Sequence, residues 1–152
     1  MRALVQRVKR AEVRVEGQPT GTIARGLLVL LGATHGDDAA TADWLARKVA
    51  ELRIFGDAEG RMNLDVRQAG GAVLVVPQFT LYGDARRGRR PDFLAAAPPD
   101  VARPLVGRFC DALAASGLEV GRGVFGAHME VELLNDGPVT LMIESPGGGT
   151  PA

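Results

Sequence analysis

The chain has 152 residues, 46% of them apolar and 24% charged, and its 18 basic and 18 acidic side chains balance to zero net charge. That length suits one domain with a sizeable core, and neutrality excludes a protein that grips polyanions through its whole-molecule field. The single cysteine, Cys110, excludes an internal disulfide, and no apolar run approaches the roughly 20 residues of a membrane span.

Residues 3–8 and 11–15 pattern as strands, the second alternating cleanly and therefore half-buried. Glu16-Gly17-Gln18 supplies a turn and residues 21–24 a short return strand. Gly26-Leu27-Leu28-Val29-Leu30-Leu31-Gly32 reads as a central strand, apolar on both faces. A helix is expected next, with an Asp or Thr41 as N-cap and Ala42, Leu45, Val49 and Leu52 on one apolar stripe. Trp44 beside that stripe reads as a packing residue. Asp57-Ala58-Glu59-Gly60 is a turn, and Met62-Asn63-Leu64 a short segment.

The run from Val73 to Gly83 holds an internal conflict. Val73 to Val76 reads as a buried strand, yet Pro77 cannot donate to a ladder, and Gln78 and Thr80 need partners if buried. Either Pro77 ends the strand and Gln78 and Thr80 are satisfied locally, or the interruption marks a site. Shortly after it, Arg86, Arg87, Arg89 and Arg90 place four arginines in five positions around Gly88. Such a loop can contact successive phosphates, or it can be solvated and pair with Asp84 and Asp92.

Ala97-Pro98-Pro99-Asp100 marks a break before a second helix, with Leu105, Phe109 and Leu113 recurring every four residues and Gly117 as its stop. Cys110 falls inside that apolar pattern and reads as a buried structural thiol. Residues 120–125, 129–134 and 139–143 read as strands, with Asn135-Asp136-Gly137-Pro138 as a turn. The expectation is one α+β domain over residues 1–145, a largely antiparallel, curled sheet with two main helices. Residues 146–152 are expected to be a disordered tail. No signal-like apolar segment follows Met1, which makes the cytoplasm the expected location.

The familiar catalytic sets are missing: no GxSxG elbow, Walker loop, HExxH or paired Cys-x-x-Cys occurs. His35 and His128 are too few and too isolated for most metal sites. Thr80 has no base nearby in sequence to activate it.

A set of segments in order changes the outlook: Leu4-Val5-Gln6-Arg7-Val8, Gly26 to Gly32, Leu52-Arg53-Ile54-Phe55, Met62-Asn63-Leu64, Gln78-Phe79-Thr80-Leu81-Tyr82, Arg89-Arg90-Pro91 and Asn135-Asp136-Gly137-Pro138-Val139-Thr140. Together they resemble the D-aminoacyl-tRNA deacylase family, from the N-terminus to about residue 145. The resemblance implies a homodimer that hydrolyses the ester between a D-amino acid and the 3′-terminal adenosine of tRNA, with no metal or cofactor. It implies two site motifs. Gln78, Phe79 and Thr80 match the first; Gly137 and Pro138, followed by Val139, match the second, which in the family carries a cis peptide and reaches across from the other subunit. Pro77 stands where the family has serine, so that residue's hydroxyl and N–H are both absent. The Gly-Pro turn would hold the substrate α-amino group and fill the space of an L side chain, so that glycyl-tRNA, including that mischarged on tRNA-Ala, would still be cleaved. Main-chain N–H groups around Phe79 and Thr80 would stabilise the oxyanion, with Thr80 as nucleophile the competing mechanism. The arginine loop would contact tRNA. Two further readings stay open: the same fold with relaxed chirality, and a noncatalytic tRNA-binding module.

Overall fold

The computed structural model describes residues 1–147. A single 14-residue strand, β1 (Arg2–Val15), is the spine of the sheet. It pairs antiparallel with β2 (Gln18–Ile23) through residues 11–15, with β3 (Gly26–Gly32) through residues 2–8, and along most of its length with β8 (Glu130–Glu144). β6 (Ala72–Pro77) then joins β3 in parallel, and β7 (Val120–Arg122) joins β6 in parallel. The small pair β4 (Phe55–Gly56) and β5 (Met62–Leu64) stands apart, closed by the turn at residues 57–60.

The two expected strands at residues 3–8 and 11–15 are therefore one. Register shifts against β8 between Gln6 and Val8 and between Val8 and Arg10 absorb the break in alternation. β8 is likewise continuous where a turn was expected at residues 135–138: Asn135 stays opposite Val8 and Thr140 opposite Gln6. β8 pairs only with β1, so a proline there interrupts no central ladder. Of the expected strand over residues 120–125, only Val120–Arg122 pairs. Of the expected tail, Pro146 and Gly147 form an exposed turn, and residues 148–152 lie outside the described residues.

Helix α1 (Ala39–Ala50) starts at Asp38, whose carboxylate accepts from the Thr41 N–H at 2.9 Å while the Asp38 N–H reaches the Thr41 hydroxyl, a capping box. Helix α2 (Pro99–Ala115) stops before Gly117, at a φ of +91° that suits glycine. The two helices cover one face of the sheet, burying Leu45, Val49, Leu105, Phe109, Cys110 and Leu113 against Val5, Leu27, Val29 and Val75. Trp44 packs against this core half-buried. Burial pushes the Cys110 thiol up to about 11, as an inert structural cysteine requires. The opposite face closes on itself: Val8, Val13, Ile23, Leu28, Leu74 and Val76 form a second core inside the curl. A Cβ on Gly21 would meet a Leu74 methyl at 2.8 Å and the Arg122 carbonyl oxygen at 3.0 Å, so β2 passes β7 with little room for a side chain there.

Candidate active site

Pro77 sits where its missing N–H costs nothing. Alternate residues of β6 bond towards β7: Val73 donates to the Glu119 carbonyl at 2.9 Å, and the Val75 carbonyl accepts from Gly123 at 2.8 Å. Pro77 is next in that alternation, but β7 has already ended at Arg122, opposite Val75. Gln78 turns back to β3 and donates to the Leu31 carbonyl at 2.8 Å. The chain then closes into a 3₁₀ turn, Phe79–Tyr82, not the continued strand its apolar residues resemble. Arg2 holds this turn from below, donating to the Leu81 carbonyl at 2.9 Å with its guanidinium 4.4 Å from the Tyr82 ring centroid. Burial pushes the Tyr82 hydroxyl pKa well above its usual value.

The geometry of this turn leaves two donors unused. Gln78, its N-cap, makes no capping bond, and the first backbone bond of the turn belongs to Leu81 N–H, donated to the Gln78 carbonyl. Among the described residues the Phe79 and Thr80 amides have no acceptor, as the first amides of a helical turn lack intrahelical partners. The Gln78 side chain donates to the Thr80 hydroxyl, so the two polar residues do satisfy each other locally. That partner is an amide, not a base.

Pro77, Gln78 and Phe79 form one wall of a cavity of about 570 Å3, within the range of small-ligand pockets. Phe93, Pro99, Phe125, His128 and Met129 complete it from three other segments. Phe79 is 58% exposed and meets Phe93 edge to face, with centroids 5.2 Å apart. Sequence reasoning missed these last five residues. The Phe125-Gly-Ala-His-Met129 segment was divided between two expected strands, although an apolar pair flanking a glycine outside any clear alternation is a pocket-loop signal.

The Gly137–Pro138 bond is cis. Its segment is anchored by Arg7, which donates to the Ile54 carbonyl at 2.6 Å and the Asp136 carbonyl at 3.2 Å and pairs with the Asp136 carboxylate at 3.4 Å. Asn135 adds bonds to the carbonyls of Arg7 and Val139. Arg7→Met is expected to lower stability by about 2–3 kcal/mol, since it orphans several acceptors of a charged donor. Urea midpoints would measure this; an unchanged midpoint would remove the clamp.

Gly137, Pro138 and Val139 do not line the chain's own cavity. β1 and β3 lie between β8 and β6, and Gly137 lies near Arg7 whereas Gln78 neighbours the Leu31 end of β3. Three strand spacings across and about five residues along put the two motifs on the order of 20 Å apart. The β8 edge near Gly137 exposes Leu134, Leu141 and Met142.

The arginine loop is a pinched hairpin: Asp84 and Asp92 exchange backbone bonds of 2.9 and 3.0 Å, and Phe93 leads directly into the cavity wall. Arg86 is committed to Asp84 at 2.6 Å and holds that carboxyl down to about 2. Arg87, Arg89 and Arg90 are exposed and form no ion pair among the described residues. Nor does any group of three or more His, Cys, Asp or Glu side chains among them converge to hold a metal ion.

The curled mixed sheet with two helices on one face is a fold that this chain shares with a solved structure of the tRNA deacylase class. A solved structure titled as a "probable eukaryotic D-amino acid tRNA deacylase" superposes with a TM-score of 0.78 at 19% identity, covering 93% of this chain and 97% of its own, a likeness of fold. At higher identity, 38%, a structure titled "c-Myc DNA Unwinding Element Binding Protein" gives a TM-score of 0.90 and covers 97% of this chain and all of its own. The chain belongs to the D-Tyr-tRNA(Tyr) deacylase family, whose model matches residues 4–144. D-aminoacyl-tRNA deacylases of Anaeromyxobacter dehalogenans and Thermomicrobium roseum are 60% and 57% identical to it, each over 95% of this chain and 97% and 94% of their own lengths.

Proposed function

We propose that the protein hydrolyses the ester joining a D-amino acid to the 3′-terminal adenosine of tRNA, in the cytoplasm, with the aminoacyl end seated in the cavity behind Phe79. The observation that carries this reading is the pair of unbonded main-chain N–H groups at Phe79 and Thr80, beside a cavity wall that Phe79 itself helps form. As water attacks the ester carbonyl, its oxygen gains charge, and two fixed donors stabilise that charge without reorganising. The C–O bond to the ribose then breaks, and the departing ribose oxygen takes the proton. A neighbouring ribose hydroxyl assists the water, because Thr80 is partnered by the Gln78 amide and no base adjoins it.

The second motif comes from a second copy of the chain. The chain's own Gly137–Pro138 is too distant, while the exposed leucines and methionine of the β8 edge supply apolar surface for such an association. From the partner, Gly137, Pro138 and Val139 would close the pocket, present main-chain carbonyls to the α-amino group and occupy the volume of an L side chain. Glycine, lacking a side chain, passes this filter. Incubation with D-tyrosyl-, L-tyrosyl- and glycyl-tRNA tests the reading. Release from the D and glycyl substrates alone is expected; release from L-tyrosyl-tRNA as well would overturn the chiral filter, and binding without release would overturn catalysis.

For the loop, replacing Arg87, Arg89 and Arg90 with glutamate is expected to weaken tRNA affinity and flatten its dependence on salt. An unchanged salt slope would remove the loop from the interface.

A further inference from the structure

The cavity wall is almost wholly apolar, with Gln78 and His128 its only polar side chains. Yet one cation is fixed at its edge. The Arg103 guanidinium lies 4.7 Å from the ring centroid of Phe125, a wall residue. Arg103 also follows Pro99, another wall residue, by four positions on α2, which places both on one helix face a turn apart. Two other arginines are committed to partners: Arg108 pairs with Asp43 at 2.7 Å, and Arg122 with Asp111 at 2.8 Å. Arg103 is exposed and forms no ion pair among the described residues, not even with Asp100 one turn earlier. Stacking on an aromatic ring fixes a guanidinium while leaving its N–H donors free to fork onto an anion.

We propose that Arg103 is a phosphate-binding residue at the mouth of the cavity, taking the phosphodiester that joins the terminal adenosine of the tRNA to the nucleotide before it. This rests on the deacylase reading, since that reading puts the last nucleoside of a polyanion against the wall. On that reading the ester lies at the Phe79 amides, and the strand leaves past the opposite wall of Phe125 and Pro99, where a fixed cation meets its first phosphate. The other anion that could reach Arg103 is the side-chain carboxylate of an acidic amino acid, but that group would start from the Phe79 side.

The test compares kcat/KM for D-tyrosyl-tRNA and for the D-tyrosyl ester of adenosine, which lacks the phosphate, in wild type, R103Q and R103K. R103Q is expected to lower kcat/KM for the tRNA substrate about tenfold, chiefly through KM, and to narrow the ratio between the two substrates by the same factor. The slope of log affinity against log salt should fall by about 0.7, the value for one contact to a single strand, and R103K should restore most of it. An unchanged ratio, or equal losses on both substrates, would overturn the assignment. So would a loss confined to D-aspartyl-tRNA, which would give Arg103 to the amino acid instead. If the wild type cleaves neither substrate, the deacylase reading itself has failed, an outcome visible before any variant is made.

Discussion

Phe79→Pro is expected to hydrolyse D-aminoacyl-tRNA about 100- to 1,000-fold more slowly than Phe79→Ala, the usual cost of losing one oxyanion donor. Both variants remove the ring from the cavity wall and both should raise KM; only proline removes the N–H. The substitution suits the backbone, because residue 79 opens the 3₁₀ turn, a position that tolerates proline, and Gln78 before it has a φ of −146° and is not helical. Single-turnover rates would isolate the chemical step. Equal rates for the two variants would mean that the Phe79 amide does not touch the reacting oxygen. The companion variant Thr80→Ala keeps its N–H and should stay near the wild-type rate; its abolition in a folded protein would instead make the hydroxyl the nucleophile.

Gly137→Ala is expected to damage stability and substrate choice together. Gly137 has a φ of +128°, where L residues are strained, and an added Cβ would meet the Arg7 Nη2 at 2.8 Å and a Val139 methyl at 3.0 Å. Strain and overpacking together should cost about 2–4 kcal/mol of stability. Relief by swinging Arg7 aside would break the bonds that hold Asp136 and Ile54. Activity should therefore fall further than a melting curve alone accounts for, and discrimination against L-tyrosyl-tRNA should erode in whatever activity remains. Wild-type discrimination in a folded Gly137→Ala protein would separate this segment from substrate choice.

What could be read along the chain was whatever depends on neighbours in sequence. The strand at Gly26–Gly32, the start of α1 and the stop of α2 follow from periodicity and caps within a few residues. β1 was divided in two because its alternation slips at bulges, and β8 because Asn135-Asp136-Gly137-Pro138 has turn composition; in both, the facing strand carries the chain through, which local pattern cannot display. The site was legible only in part for a related reason. Gln78 and Thr80 announced themselves by interrupting an apolar run, but Phe93, Phe125 and His128 reach the cavity from segments that look ordinary alone. The groups proposed to act on the ester are main-chain amides, which no residue type advertises.

The long β1 strand also orders events in time. It can meet β3 as soon as a hairpin's length of chain exists, but its other side stays open until β8 is made, with Asn135 binding the Arg7 carbonyl across a separation of 128 residues. Closing so distant a pair is slow compared with local pairing, and at about 5–20 residues per second of synthesis it also comes last. The Phe79 turn, held by β3 and Arg2, can thus form before Gly137 and Pro138 are seated. On the proposed cross-subunit arrangement, the ability to tell one enantiomer from the other would be acquired only when two completed chains associate.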